Sequence, residues 1–564
     1  MIRIEHRRFF AKTRGARWAG VCKALVSLAV VASLAVGLCA SGFAADAPGP
    51  KKRLWIAGNP IDAYAIVCGA DREAAEELAR YIEAATGVAL PLLPDTEAAE
   101  HEIRVGRVDR AGSQAEWGGL DNDGFVIQVT GGDLIIRGDT ALGTLYGVYG
   151  FLERYVGWRF IHRDTDYLRP GDASLADGLF WKYEPPFEYR QLDWLCTFDD
   201  AWQAKNGENY LDFPWGGSDS GFVHTLGALS EQHNDFTGQP CLSDEAVLET
   251  VIKNVRRILD EDPACRIVSV SQNDNANYCR CPKCQATDAE EGSPAGTLLR
   301  FVNAVADDIK DDYPGVSVET LAYQYTRKAP KLTRPRDNVI IRLCSIECCF
   351  SHPLSDSGCA ENAAFRRDLA EWGKICDRVY IWDYVTNFAN YVAPFPNFRV
   401  LRENMRFFAE NHAVGMYPEG NYTSESGEFG ELRAYLLGRL MWDPYMTEEE
   451  YDGYMNDFLA GYYGAAAPYI RAFIDFTLAA SVDRCFGIWQ EDPFDIIPRE
   501  AYEARFDEIE GWWESAEEAA GENIERVQRS RLQWTYIKLL MDRDDEDTRA
   551  FFSTMRDLGI LLHE

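Results

Sequence analysis

The chain has 564 residues, 46% of them hydrophobic and 13% aromatic, which is enough to bury several cores and excludes both wholesale disorder and a small stapled scaffold. Its formal charge of −33 would repel polyanions and sets nucleic acid aside as a partner. Beyond the N-terminus no apolar run is long enough to span a bilayer, so no integral membrane span is expected after residue 44.

Residues 1–44 read as a secretory signal peptide. Seven basic side chains from Arg3 to Lys23 precede the apolar run Ala24 to Leu38, and small residues lead to a cleavage point near Ala44. Removal leaves 50 basic against 89 acidic side chains, a net charge of −39, on a secreted or periplasmic body. Thirteen cysteines remain, an odd number, in a compartment where disulfides form.

Residues 51–180 alternate short strands and helices and predict a small α/β domain. Ala75, Leu78, Ala79, Ile82 and Ala85 have helical spacing within Arg72 to Thr86, which stops at Gly87. Phe125 to Val129 and Leu134 to Arg137 flank Gly131-Gly132-Asp133, a hairpin pattern. The glycine- and aromatic-rich stretch from Thr144 to Glu153 predicts a helix packed close against a neighbour.

After Pro185-Pro186, strand-like runs recur at Tyr189 to Leu195, Arg266 to Ser271, Val316 to Tyr325, Val339 to Ile346, Val379 to Trp382 and Ala413 to Tyr417. Helices are expected between them at Ser243 to Leu259, with Ser243 as N-cap, and at Thr297 to Asp311, Ala363 to Cys376 and Phe398 to Asn411. This β-then-α order, with no glycine-rich phosphate loop, predicts a (β/α)8 TIM-like barrel over residues 185–445, closure being inferred because two strands have no clear segment. Residues 446–564 predict a helical C-terminal region with Trp512, Trp513 and Trp534 on its apolar face.

In such a barrel the C-terminal ends of the strands carry the site. Those positions hold Asn273 and Asp274, Tyr323, Glu347, Trp382 and Asp383, and Glu419. Paired carboxyl groups beside aromatic faces and amides are what glycosidic cleavage requires. Glu347 is the first candidate for general acid, because it follows an apolar run where desolvation would favour the protonated form. Asp383, Asp274 and Glu419 are candidates for base or nucleophile, and His224, Trp194, Asn273, Tyr323, Arg342, Trp382 and Asn387 for substrate contact. Each has a plain structural alternative: helix capping or an arginine pair for the carboxylates, a satisfied core position for His224 and Trp194.

Cys279-x-Cys281-x-x-Cys284 is the sharpest local pattern. Disulfide bonding of this loop is expected, with a structural zinc or an iron–sulfur cluster as the competing account if Cys344, Cys348, Cys349 or Cys359 supplies a fourth ligand. No catalytic metal or other cofactor is expected.

Several stretches resemble the large bacterial family labelled domain of unknown function 4838: Ser269-Val-Ser-Gln-Asn-Asp-Asn-Ala-Asn-Tyr-Cys-Arg-Cys-Pro-Lys-Cys284, Thr297-Leu-Leu-Arg-Phe-Val-Asn303, Thr320-Leu-Ala-Tyr-Gln-Tyr325, Glu347-Cys-Cys-Phe-Ser-His-Pro353 and Ile381-Trp-Asp-Tyr-Val-Thr-Asn-Phe388. Gly143 to Glu153 is similar to the closing helix of the small domain that precedes the barrel in α-glucuronidases and β-N-acetylhexosaminidases. The resemblance implies a glycoside-hydrolase-like barrel acting on carbohydrate. The adjacent Asp-Glu of hexosaminidases has no counterpart at a strand end, since Asp244-Glu245 falls in a helix-like stretch; a uronic acid substrate would call for a cation such as Arg342. The expected function is therefore cleavage of a polysaccharide or glycan, the rival being a non-catalytic carbohydrate-binding protein on the same barrel.

Overall fold

The computed structural model describes residues 51–110, 119–216, 222–233 and 237–564. The signal peptide expected at 1–44 lies outside the described residues, in which no helix is long and apolar enough to cross a membrane.

The N-terminal segment builds a six-stranded sheet in the order Phe180–Tyr183, Phe125–Thr130, Asp133–Gly138, Glu102–Val105, Ala65–Cys68, Leu92–Pro94. The hairpin forms in the expected place, with Thr130 opposite Asp133. The helix Arg72–Thr86 buries Ala75, Leu78, Ile82 and Ala85 and ends at Gly87, whose N–H bonds the carbonyl of Glu83. Ala141–Phe151 packs on the same sheet so closely that a Cβ on Gly150 would stand 2.9 Å from Cζ of Phe125, which explains the glycines in its stripe.

All six later strand-like runs become strands of one parallel sheet: Tyr189–Arg190, Ala413–Glu419, Val379–Tyr384, Val339–Cys344, Ser317–Ala322 and Ile267–Ser269 in spatial order. Among the described residues this is a parallel half-barrel sheet of six strands. A further strand is reduced to Trp215, which bridges Ile267. The 3-10 turn Tyr210–Asp212 and Pro214, which has no N–H to give a ladder, leave that segment little room for more.

The described chain divides into two compact units. One comprises Tyr210–Cys344 and Arg367–Tyr380; the other comprises the described residues up to Asn209, Ser345–Arg366 and Ile381–Glu564. In the first, the helix expected to start at Ser243 runs Glu245–Glu261 and is capped by Asp244, whose carboxylate accepts from the N–H of Ala246 at 3.0 Å. Ser243 is diverted to a thiol, its Oγ lying 3.1 Å from Sγ of Cys284. In the second, Thr447 and Glu450 form a capping box that opens the helix Glu448–Tyr463. The helices Ala467–Ala480, Phe506–Ala519 and Ile524–Met541 follow, and Trp513 and Trp534 are buried as expected.

Candidate active site

Two strands of the second unit end in alternating aromatic and acidic residues. Side chains along a strand point to opposite faces in turn. Trp382 and Tyr384 share a face, their rings stacked at 6.2 Å with 21° between planes. On the same face the Trp382 ring meets Tyr417 edge-on at 4.7 Å, and its indole N–H donates to Oε2 of Glu419 at 2.8 Å.

Asp193 joins this group because the chain after Arg190 keeps running beside Ala413–Glu419. Asp193 bridges Glu419 in parallel, Asp193 N–H bonds the carbonyl of Pro418 at 3.1 Å, and Gly420 N–H returns to the carbonyl of Asp193 at 3.1 Å. The hydroxyl of Tyr417 donates to Oδ2 of Asp193. Two carboxylates, each held by an aromatic donor, thus stand side by side at strand ends, 6% and 9% exposed for Asp193 and Glu419. Trp194, a candidate for substrate contact, is buried against the next turn of chain: a Cβ on Gly420 would fall 1.8 Å from Cε2 of its indole, so only glycine lets the chain pass over the ring.

Asp383 sits between Trp382 and Tyr384 and therefore points to the opposite face. There it accepts from Ser345 Oγ at 2.6 Å and is buried. Burial pushes its carboxyl up to about 6, against the lowering effect of the Ser345 and Tyr384 hydrogen bonds. Glu347 is exposed in the turn after Val339–Cys344, so the water-poor setting expected for it belongs to Asp383 instead. Asn387 is committed to the backbone: its Nδ2 donates to the carbonyl of Gln490 at 2.8 Å and its Oδ1 accepts from the N–H of Gln490 at 3.1 Å.

Glu208 went unnoticed in the sequence because Asn206-Gly-Glu-Asn reads as an exposed polar turn. It is buried, accepts from the N–H of Leu192 at 2.8 Å, and has its carboxyl raised to about 8 by desolvation, with the charge of Asp193 adding to the effect.

The remaining candidates lie in the first unit. Asp274 is half-buried and accepts from the Tyr323 hydroxyl at 3.1 Å, while Gln324 Nε2 donates to that hydroxyl at 2.9 Å. His224 has a left-handed backbone, φ 57°, and its Nδ1 lies 2.6 Å from the carbonyl of Gln272, which requires Nδ1 to carry the proton. Asn273 braces a loop, donating to the carbonyls of His233 and Gly238 and accepting from the N–H of Gly227. Arg342 is wholly buried, paired with Glu319 at 3.3 Å between the rings of Trp215 and Phe222. Its place in the strand Val339–Cys344 puts it in the sheet.

The cysteine pattern acquires its fourth member in Cys241, not in any of the four expected. Ligand atoms of Cys241, Cys279, Cys281 and Cys284 lie within 4.8 Å of one another. Sγ of Cys241 is 3.8 Å from that of Cys281 and 3.9 Å from that of Cys284. The thirteen cysteines among the described residues are all unbonded thiols, which overturns the expected disulfides. Four sulfurs around zinc, each about 2.3 Å from the metal, stand about 3.8 Å apart, so the set fits zinc.

A family model described as "Domain of unknown function (DUF4838)" matches residues 172–475, more than half of the chain, and one described as "Glycosyl hydrolase family 67 N-terminus" matches residues 69–151. None of the curated proteins matches. Similar solved structures include one titled "Structure of CpGH84B", at 12% identity and TM-score 0.44, covering 88% of this chain and 91% of that one. Another is described as a "GH138 enzyme targeting pectin rhamnogalacturonan II", at 10% identity and TM-score 0.43, with the same coverage of 88% and 91%.

Proposed function

We propose a catalytic role for this chain, which belongs to the DUF4838 family: exported from the cell, it cleaves glycosidic bonds in a polysaccharide or glycan, with Glu419 and Asp193 as the reacting carboxyl pair. The observation that carries the proposal is the placement of these two groups as bridged neighbours, each gripped by an aromatic donor, on a face lined by Trp382, Tyr384 and Tyr417. Aromatic rings stack on the C–H faces of sugars, and the carboxyls supply acid and base or nucleophile. The family 67 match over residues 69–151 adds support from the N-terminal side.

Asp193 and Glu419 stand on bridged neighbouring strands, which are about 4.8 Å apart, and this close placement favours a retaining mechanism, whose carboxyls are roughly 5 Å apart, over an inverting one. Glu419, positioned by the Trp382 N–H on its Oε2, gives its proton to the glycosidic oxygen as Asp193 attacks the sugar carbon and the C–O bond breaks, and then takes a proton from the water that releases the sugar from Asp193. Glu347, exposed at its loop, takes a rim contact rather than the proton. With Arg342 paired internally and a mature charge of −39, a neutral glycan is the favoured substrate class.

The test is hydrolysis of a broad panel of plant, algal and host glycans by residues 45–564. Glu419→Gln and Asp193→Asn should each lower kcat by about 10²–10⁴-fold while Glu347→Gln stays within about tenfold. Binding without turnover by the unaltered chain would establish the carbohydrate-binding alternative, and a larger loss in Glu347→Gln than in Glu419→Gln would return the acid role to Glu347.

A further inference from the structure

We propose that Cys349, His352, Cys359 and Cys485 hold a structural zinc ion, separate from the four-thiol set. The four ligand atoms lie within 4.8 Å of one another. His352 turns Nδ1 toward the sulfurs, 3.3 Å from Cys349 Sγ and 3.5 Å from Cys485 Sγ. Tetrahedral zinc, with bonds of about 2.3 Å to sulfur and about 2.05 Å to nitrogen, spaces those atoms by about 3.5 Å. Three thiolates and an imidazole favour zinc over magnesium or calcium, which take oxygen ligands.

The surroundings are built as metal sites are. Asn362 is fully buried; its Oδ1 accepts from the N–H of Cys349 at 2.8 Å, and its Nδ2 donates to the carbonyls of Cys349 and His352 at 3.2 and 3.1 Å. The N–H of Ser351 points at Cys349 Sγ at 3.4 Å, a donor that steadies a thiolate. A disulfide between any two of the three cysteines would leave one thiol and the inward-turned imidazole without a role.

The site joins two segments of the second unit. Cys349, His352 and Cys359 belong to the loop after Val339–Cys344, which also carries Ser345 and Glu347, whereas Cys485 follows the helix Ala467–Ala480. Backbone and side-chain bonds prepare the same junction: Phe350 N–H to the carbonyl of Phe486 at 2.9 Å and Ser351 Oγ to that of Ser481 at 3.3 Å. Zinc would fix the loop that positions Glu347, and this holds whether or not the chain is a hydrolase.

The experiment is elemental analysis of untagged residues 45–564, paired with alkylation mapping by mass spectrometry. Two zinc ions per chain are expected, falling to one in His352→Ala and in Cys279→Ser, and to none when both are combined. In the unaltered protein, which removes any concern about folding of variants, Cys349, Cys359 and Cys485 should resist iodoacetamide until a chelator is added. Recovery of any two of them as a disulfide, equal alkylation with and without chelator, or a zinc content unchanged by His352→Ala in folded protein would overturn the proposal.

Discussion

Asp383 offers the sharpest test of which strand face carries the chemistry. Its carboxyl titrates near 6 instead of 3.8 because burial outweighs the hydrogen bond from Ser345. A carboxyl raised on folding favours the protonated protein, so its contribution is complete below the unfolded value near 3.9 and is lost as pH rises through about 6. The difference corresponds to about 3 kcal/mol at pH 8. Asp383→Asn keeps the size and an acceptor for Ser345 Oγ–H but cannot charge. Its unfolding in urea, followed by tryptophan fluorescence, should match the parent at pH 4, gain steadily between pH 4 and 7, and level at about 3 kcal/mol in its favour. Turnover should stay within a few-fold, because the side chain points away from Trp382 and Glu419. A stability difference that ignores pH would refute the burial argument; loss of turnover in a folded variant would refute the face assignment.

Trp382→Phe keeps a ring against Tyr417 but removes the donor to Glu419; kcat should fall about 10–100-fold with KM nearly unchanged, measured on the best glycan of the panel. Arg342→Met strands the Glu319 carboxyl, itself raised by desolvation, and should cost about 3–5 kcal/mol in urea unfolding, much of it recovered when Glu319→Gln is added. Glu208→Gln mimics the protonated acid that burial favours; because a carboxyl raised to about 8 contributes fully only below its unfolded value of about 4.3 and loses that contribution as pH rises through about 8, the variant should match the parent in thermal midpoint at pH 4 and exceed it by a growing margin up to pH 9.

Much of this was open to inspection in the amino-acid order. The six parallel strands coincide with continuous apolar runs, as expected of strands covered on both faces. The ends were less legible, since Val379–Tyr384 and Ala413–Glu419 run on through their acidic residues, and once Asp383 lies inside a strand the two-residue alternation sends it away from Trp382 and Tyr384. The same alternation, applied to Arg342 and Glu319 on neighbouring strands, accounts for a buried pair where a substrate cation was expected. Asp193 and Glu208 depended on contacts that local order does not carry. One becomes a partner of Glu419 only because the first strand pairs with the last, and the other is buried by a turn that looks hydrophilic.

The cysteines show where spacing stops being informative. Cys279, Cys281 and Cys284 fall within one turn and the start of the helix Pro282–Glu291, so their convergence follows from local geometry alone, and Cys281 both caps that helix and accepts from the N–H of Cys284 at 3.5 Å. Cys241 completes the set from a distant loop. Cys349, His352 and Cys359 are too widely spaced to force convergence; Asn362 folds their loop back, and Cys485 arrives from beyond the helix Ala467–Ala480. An odd number of thiols cannot all pair with one another under disulfide bonding. Two zinc sites, one with four thiolates and one with three and a histidine, engage seven of the thirteen cysteines, and buried positions such as Cys68, Cys196, Cys265 and Cys376 account for others as small apolar side chains. Oddness then ceases to be evidence of an unpaired reactive thiol, because none of the thirteen requires a covalent partner.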